Sequence, residues 1–310
     1  MNILVFGAGV LGSLYAAKLQ EAGQVVTVLA RGSRLDDIRA HGLILINGRT
    51  QEQTVTKVAV IDHLSEDDPY DLAIVLVRKN QLADVLPALA KNPRIPNILV
   101  MVNNAEGPDN IVRQLGKERV LLGFPGAGGQ RDGYCIRYQI VPKLLQPTTL
   151  GEIDGRKSLR VREIARIFHA AGFPVTISTH MTAWMQTHAM IVSPIANAIY
   201  LAGGNCHELA HSSGVLVQMV HAIREQFQVL QTLGVPITPA KYRMIAWLPV
   251  SILVALCKIG FDTPQAELLL SRHANAARDE MAQIALELHR LAEQAQKETP
   301  ISDDLARSSG

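Results

Sequence analysis

Three stretches of this 310-residue chain hold groups able to do chemistry. In "NILVFGAGVLGSLYAAKLQEAG", Gly7, Gly9 and Gly12 keep the spacing G-x-G-x-x-G directly after an apolar run and at the start of a helical pattern. In such a unit the first glycine permits a tight turn, the second lets backbone approach a pyrophosphate, and the third allows close helix packing. The helix start adds amide donors for the anion. Gly7, Ala8, Gly9, Val10, Leu11 and Gly12 are accordingly expected to hold a dinucleotide. The next apolar run ends in "LARGSR", where the acid that would hold a free ribose hydroxyl pair is missing and Arg31 stands instead, with Arg34 as a second cation. A planar guanidinium suits a 2′-phosphate, so the expected cofactor is NADPH rather than NADH.

The second stretch is a pair of polar clusters at the ends of buried runs. "AIVLVRKNQ" leaves Arg78, Lys79, Asn80 and Gln81 there, and "ILVMVNNAEG" leaves Asn103, Asn104 and Glu106. Open α/β sheets bind ligands beyond the carboxyl ends of their strands, which places both clusters near cofactor or substrate; a helix cap explains Asn80 equally well. The third stretch is "HMTAWMQTHAMIVSPIANAIY", where Gln186 and His188 interrupt an apolar run. Gln186 can donate an amide hydrogen bond but has no labile proton. His188 titrates near neutrality and stands four residues after Trp184 on the same helical face, where it is either a proton donor or a satisfied core residue.

The elements that must position these groups follow from periodicity. "NILVF", "VVTVLA", "TVTKVAVI", "DLAIVLV" and "NILVMV" alternate with helical patterns, the signature of a mostly parallel sheet covered on both faces. "RVLLGF", "YCIRYQIV" and "TTLGEI" are expected to extend it, followed by the helix "SLRVREIARIFHAAG" and a last strand "FPVTIST". Beyond His180 nearly every segment has helical period, so a Rossmann-type nucleotide-binding domain is expected over 1–178 and a helical substrate and dimerisation domain over 179–310. The last long helix places Met281, Ile284, Leu288 and Leu291 on one face, with Glu287 and Arg290 off it. "MIAWLPVSILVALCKIGF" carries Pro249 and Lys258, falls short of a membrane span, and is expected to be a buried helix.

Composition narrows the partners. With 30 basic and 28 acidic residues the chain has no polybasic run, which argues against nucleic acid and anionic membrane and leaves small anions. Cys135, Cys206 and Cys257 lack redox spacing and are expected to be buried thiols of a reducing compartment. The N-terminus enters a strand without a signal pattern, so a cytoplasmic location is expected. No compact set of His, Cys and carboxylate ligands is evident, and no metal is expected.

Taken in order, "ILVFGAGVLGSLYAAKL", Arg31, "YDLAIVLVR", "VNNAEG", "TTLGEIDG" and "SPIANAI" resemble the ketopantoate reductase family, whose members reduce 2-dehydropantoate to pantoate with NADPH. The resemblance implies an N-terminal Rossmann domain, an all-α C-terminal domain of the 6-phosphogluconate dehydrogenase C-terminal-like type, and an active site in the cleft between them. It matches the glycine fingerprint to Gly7, Gly9 and Gly12, the 2′-phosphate arginine to Arg31, and a cofactor-holding lysine to Arg78. It matches an asparagine beside nicotinamide and substrate to Asn104, and a substrate-binding glutamate to Glu280, which keeps its distance from Thr299 and Pro300. The serine and glutamine-aspartate cluster that precedes that glutamate is replaced by "SRHANAARDE". The family's proton-donating lysine falls on Gln186 when the helix is registered on Trp184, and on Met185 when it is registered on Pro194. Neither supplies an ammonium.

Hydride reduction of a ketone builds negative charge on the carbonyl oxygen, which needs an acid nearby. His188 is expected to supply it directly or through one water, with Asn104 orienting the carbonyl; Lys79 and His273 are further candidates. The expected activity is NADPH-dependent reduction of a small 2-oxo acid, in a homodimer formed through the helical domain. The alternative is an NADPH-binding sensor or regulatory protein with little reductase activity.

Overall fold

The apolar runs of the first half are buried on both faces, as strands covered by helices on either side must be. The strands are β1 (Asn2–Phe6), β2 (Val25–Leu29), β3 (Leu43–Asn47), β4 (Gln53–Thr56), β5 (Ala59–Ile61), β6 (Leu72–Val75), β7 (Ile98–Val100), β8 (Val120–Phe124), β9 (Ala127–Asp132), β10 (Cys135–Ile140), β11 (Thr148–Glu152) and β12 (Val175–Ile177). Between them lie the helices α1 (Val10–Glu21), α2 (Ser33–His41), α3 (Leu82–Lys91), α4 (Asp109–Leu115) and α5 (Leu159–Ala170). The computed structural model describes residues 1–308, the side chain of His273 excepted, so the expectation placed on that side chain lies outside the described residues.

Eight strands form one sheet in the order β12-β11-β8-β7-β6-β1-β2-β5. From β5 to β8 every neighbouring pair is parallel, and β11, antiparallel to β8, and β12, parallel to β11, run the opposite way. This is the doubly wound Rossmann order, in which the chain reverses direction across the sheet between β1 and β6. Alanines at 16 and 17 let α1 lie close to the sheet, and Tyr15 stacks on Phe173 at 4.1 Å between ring centroids. The Tyr15 hydroxyl, pushed up in pKa by burial, shares a 2.6 Å hydrogen bond with Thr148.

The expected strand "TVTKVAVI" proves to be two. β4 joins a separate sheet of order β4-β3-β10-β9, whereas β5 closes the edge of the main sheet. That second sheet, with β3 and β9, has no counterpart in the sequence reading, and "YCIRYQIV" belongs to it rather than to the main sheet. The half-exposed faces of β9 and β10 show why: they are covered on one side only.

An ion pair closes the far end of this unit. Glu152, buried at the end of β11, receives a bidentate guanidinium from Arg160 at 2.8 and 2.6 Å and a hydroxyl from Ser158. Burial raises the Glu152 carboxyl, but the guanidinium and hydroxyl outweigh it and hold the pKa below the usual carboxylate range. Such a group adds stability above the unfolded-state value, about 4.3, and that stability is lost as pH falls through the lower folded value. Glu152→Gln is therefore expected to melt earlier than the native chain at neutral pH, with the gap closing in acid. Parallel melting curves across the pH series would remove the ion pair from the stability of this unit.

The chain divides into two units, Met1–Val102 with Pro108–Met181, and Asn103–Gly107 with Thr182–Gly310. The second is helical: α6 (Met181–Leu201), α7 (Cys206–His211), α8 (Ser213–Thr232), α9 (Met244–Trp247), α10 (Val250–Phe261), α11 (Pro264–Ala266), α12 (Arg272–Ala276), α13 (Arg278–Gln294) and α14 (Pro300–Ser308). Met190, Ile199, Ile223, Phe227, Leu230, Ile284 and Leu288 fill its core. The division falls three residues beyond the expected boundary at 178, and the segment 103–107 groups with the helices.

Several sequence expectations, most of them for this unit, are corrected by the structure. "MIAWLPVSILVALCKIGF" is not one buried helix: the extended Leu248–Pro249 link splits it into α9 and α10, and Trp247, Leu256 and Ile259 are exposed. No described helix is long and apolar enough to cross a membrane. Glu287 lies not off the buried face of α13 but within it, with 0% exposure. Of the three thiols only Cys206 is buried; Cys135 and Cys257 are partly exposed.

Candidate cofactor and substrate site

In the first unit the fingerprint occupies the loop between β1 and α1. Gly7 adopts φ +113°, and a side chain there would meet the Leu76 carbonyl at 2.4 Å. A side chain on Gly12 would meet the Gly7 carbonyl at 1.8 Å. Gly9, the residue just before α1, is different: a Cβ added there meets nothing within 4 Å. Gly7 and Gly12 are thus required by the protein's own packing, while the backbone at Gly9 stays open for a diphosphate at the helix start. The residues fit a dinucleotide.

Arg31, just beyond the end of β2, is exposed. Arg34, expected as a second cation for the same ligand, is instead buried and fully committed within the fold. Its Nε donates to the Ala8 carbonyl at 3.1 Å, one terminal nitrogen to the Tyr134 carbonyl at 3.0 Å, and the other to Ser13 Oγ at 2.9 Å. Arg34 therefore shapes the fingerprint loop from behind, and Ser13 Oγ, donating to the same Ala8 carbonyl, completes the brace. The sequence could not separate these roles, because two arginines three residues apart at a strand end look alike until one is buried. Arg78 follows β6, the parallel neighbour of β1 across the switch point, and its backbone N–H donates to Gln81 Oε1.

In the second unit, α13 and α6 hold the segment Asn103–Gly107 residue by residue. Asn103 Nδ2 donates to Glu280 Oε1 at 3.0 Å, the Ala105 N–H donates to Glu287 Oε2 at 3.0 Å, and Arg290 reaches Glu106 at 2.7 Å. The three α13 residues are spaced seven and three apart, so they project along one face of the helix. From α6, Gln186 Nε2 donates to the Ala105 carbonyl at 3.0 Å, so that the backbone of this one residue is held through both its N–H and its carbonyl. Asn104 is buried and turns its amide to the Gly107 carbonyl at 2.6 Å. Asn103 Oδ1, buried beside Glu280, accepts no hydrogen bond from the described residues. A buried acceptor of this kind is costly unless a donor reaches it.

The same contacts show which way α6 is turned. Gln186 faces the segment that carries Asn104. His188 lies elsewhere. Two residues along an α-helix turn it by about 200°, and the His188 ring stacks flat on Trp184, 5.2 Å between centroids and 6° from parallel. Gln186 and His188 therefore serve opposite sides of the helix. Tyr200, farther along α6, has its hydroxyl pushed up to about 12 by burial; it donates to the Ala274 carbonyl at 2.6 Å, and the Arg278 guanidinium covers its ring at 4.3 Å. Sequence reasoning missed Glu287 as part of this site. Its spacing of seven from Glu280 was the signal.

Comparison with known proteins bears on both units. The family described as Ketopantoate reductase PanE/ApbA matches residues 3–155. A 2-dehydropantoate 2-reductase of Listeria innocua is 28% identical over 230 residues, which cover 72% of this chain and 73% of that protein. The structure of a 2-dehydropantoate 2-reductase from Geobacter metallireducens superposes with a TM-score of 0.80 at 17% identity, covering 100% of this chain and 99% of that one. D-mandelate dehydrogenase, solved with NADH and anilino(oxo)acetate, gives 0.78 at 18% identity, covering 100% and 97%. These two structures share the fold, a Rossmann-like α/β unit followed by helices. With its fingerprint loop and strand order, the first unit is similar to the ketopantoate reductase (PanE/ApbA) family over residues 3–155.

Proposed function

We propose that this protein is an NADPH-dependent reductase of a small 2-oxo acid. The observation that carries the reading is the first unit's switch point: an open backbone at Gly9 and a guanidinium, with no carboxylate, at the end of β2. NADPH, when bound, supplies the hydride. Gly7, Ala8, Gly9, Val10, Leu11 and Gly12 hold the diphosphate, Arg31 the 2′-phosphate, and Arg78 a further phosphate or ribose oxygen. In the second unit Asn104 orients the carbonyl, and the Asn103–Glu280 pair takes a hydroxyl of the acid, whose donor satisfies Asn103 Oδ1. The relatives support the substrate class, because 2-dehydropantoate and mandelate are both acids with oxygen on the carbon next to the carboxyl group.

Gln186, with no labile proton and its amide tied to Ala105, makes the native chain a slow reductase of 2-dehydropantoate itself. It also favours a second reading, an NADPH-binding regulatory protein. NADPH oxidation measured over a panel of 2-oxo acids, beside a binding titration, separates the two. Turnover with at least one acid supports the reductase; tight NADPH binding without turnover supports the regulator.

Cofactor choice has its own test. Arg31→Ala is expected to weaken NADPH by about 2 kcal/mol, the loss of charge-assisted hydrogen bonds to the phosphate, and to leave NADH nearly unchanged. Equal weakening of both nucleotides would detach Arg31 from the 2′-phosphate.

A further inference from the structure

Away from this site, the helical unit brings together two imidazoles and a carboxylate that the proposed reaction does not use. His207 and His211 stand four residues apart on α7, and Asp262 ends α10. One ligand atom from each lies within 4.8 Å of the other two. The motif His-x-x-x-His is visible in the sequence, but its third member is 51 residues away from His211 and is supplied only by the fold.

The corner is built, not a chance meeting of long side chains. Asn205 caps α7 by accepting from the backbone N–H groups of His207 and Glu208. Cys206 ties the same turn to the chain just after α10, its N–H donating to Glu267 at 3.1 Å and its thiol to the Ala266 carbonyl at 3.6 Å. The helix start bearing His207 and the corner bearing Asp262 are thereby held in register.

The two rings are also set in one tautomer. His211 Nδ1 lies 2.8 Å from the His207 carbonyl, which can only accept, so the ring donates there and its lone pair is on Nε2. His207 Nδ1 lies 2.7 Å from Asp262 Oδ1, the carboxylate–imidazole pairing that orients metal-binding histidines and raises their basicity. The ring centroids are 4.4 Å apart, and all three side chains are exposed, so water can complete a coordination shell.

We propose that His207 and His211, supported by Asp262, form a surface site for a divalent transition-metal ion of the zinc or nickel class. Imidazole donors select this class over calcium and magnesium, which prefer oxygen. Bound there, the ion joins α7 to the end of α10. The expectation of a chain without a metal site is revised accordingly.

The test is a zinc titration of the full chain against a chromophoric chelator, with cobalt absorption as a second readout. The native chain is expected to take up one ion at this corner and to melt at a higher temperature in zinc. His207→Ala and His211→Ala should each lower the affinity for that ion by more than about tenfold and abolish the zinc-dependent rise in melting temperature. Asp262→Asn should lower it by roughly tenfold, the usual cost of losing a carboxylate behind a ligating histidine. His169→Ala, an exposed histidine on α5, should change nothing. The variants replace exposed side chains, and melting without zinc checks that they fold. The proposal is overturned if the native chain binds no ion, or if both histidine variants keep its affinity to within tenfold. His207 and Asp262 would then be a surface ion pair only.

Discussion

A chain carrying Gly12→Val is expected to lose NADPH binding and to be destabilised by about 3 kcal/mol or more, at the upper end of overpacking penalties. The first added carbon alone falls 1.8 Å from the Gly7 carbonyl oxygen and 2.9 Å from its carbonyl carbon. The loop cannot retreat, because Gly7 is backed on its other side by the Leu76 carbonyl, at 2.4 Å from any side chain placed there. Either α1 moves off the sheet or the turn opens, and both destroy the surface that would receive the diphosphate. Gly9→Ala is the control. Its Cβ enters open space, so the fold should stay within about 1 kcal/mol of native while NADPH affinity falls. Denaturant midpoints paired with NADPH titration decide the matter: native affinity in the Gly12 variant would take the fingerprint out of the cofactor site.

The second large effect is expected at position 186. Gln186→Lys should raise turnover of 2-dehydropantoate on the order of 10²-fold, the lower range of general acid catalysis, with NADPH affinity unchanged. The amide nitrogen already lies 3.0 Å from the Ala105 carbonyl, and an ammonium one bond farther out keeps that partner while adding a proton to give. His188→Asn is the companion. Because residues 186 and 188 project about 200° apart, one carbonyl oxygen cannot be in direct reach of both. His188→Asn should therefore lower melting temperature through loss of the Trp184 stack and leave hydride transfer in a single turnover intact. A correctly folded lysine variant with no gain, together with a His188 variant slowed 10²-fold, would reverse the assignment and restore His188 as the acid.

Local order was well legible in the sequence where one period or one motif decided it. The buried runs of β1, β2, β6, β7 and β8 and the helix after the glycines follow from patterning, and the strand order then follows from the right-handed parallel crossovers that α/β chains prefer. What patterning could not supply was partnership across long separations. "TVTKVAVI" looks like one strand because nothing local says that its halves pair with β3 and β2. Arg34 and Glu287 look like surface charges because a period counts apolar residues and is blind to a charged group whose partners are backbone amides and carbonyls. His188 was singled out for its chemistry alone, and only the hydrogen bond of Gln186 to Ala105 shows which way the helix is turned.

The grip on the segment 103–107 bears on how this protein is made. Its bonds to α13 join residues 177, 182 and 184 positions apart. During synthesis the segment leaves the ribosome with its strand finished and its own anchors still untranslated, and it waits for nearly the last helix of the chain. A truncated product ending at 178 would present Ala105, fully buried in the native protein, with neither Glu287 nor Gln186 to hold its peptide. Cutting the gene at the apparent domain boundary is therefore expected to yield a sheet with one unfinished loop, open to proteases at 103–107, and co-expression of 179–310 is expected to protect it.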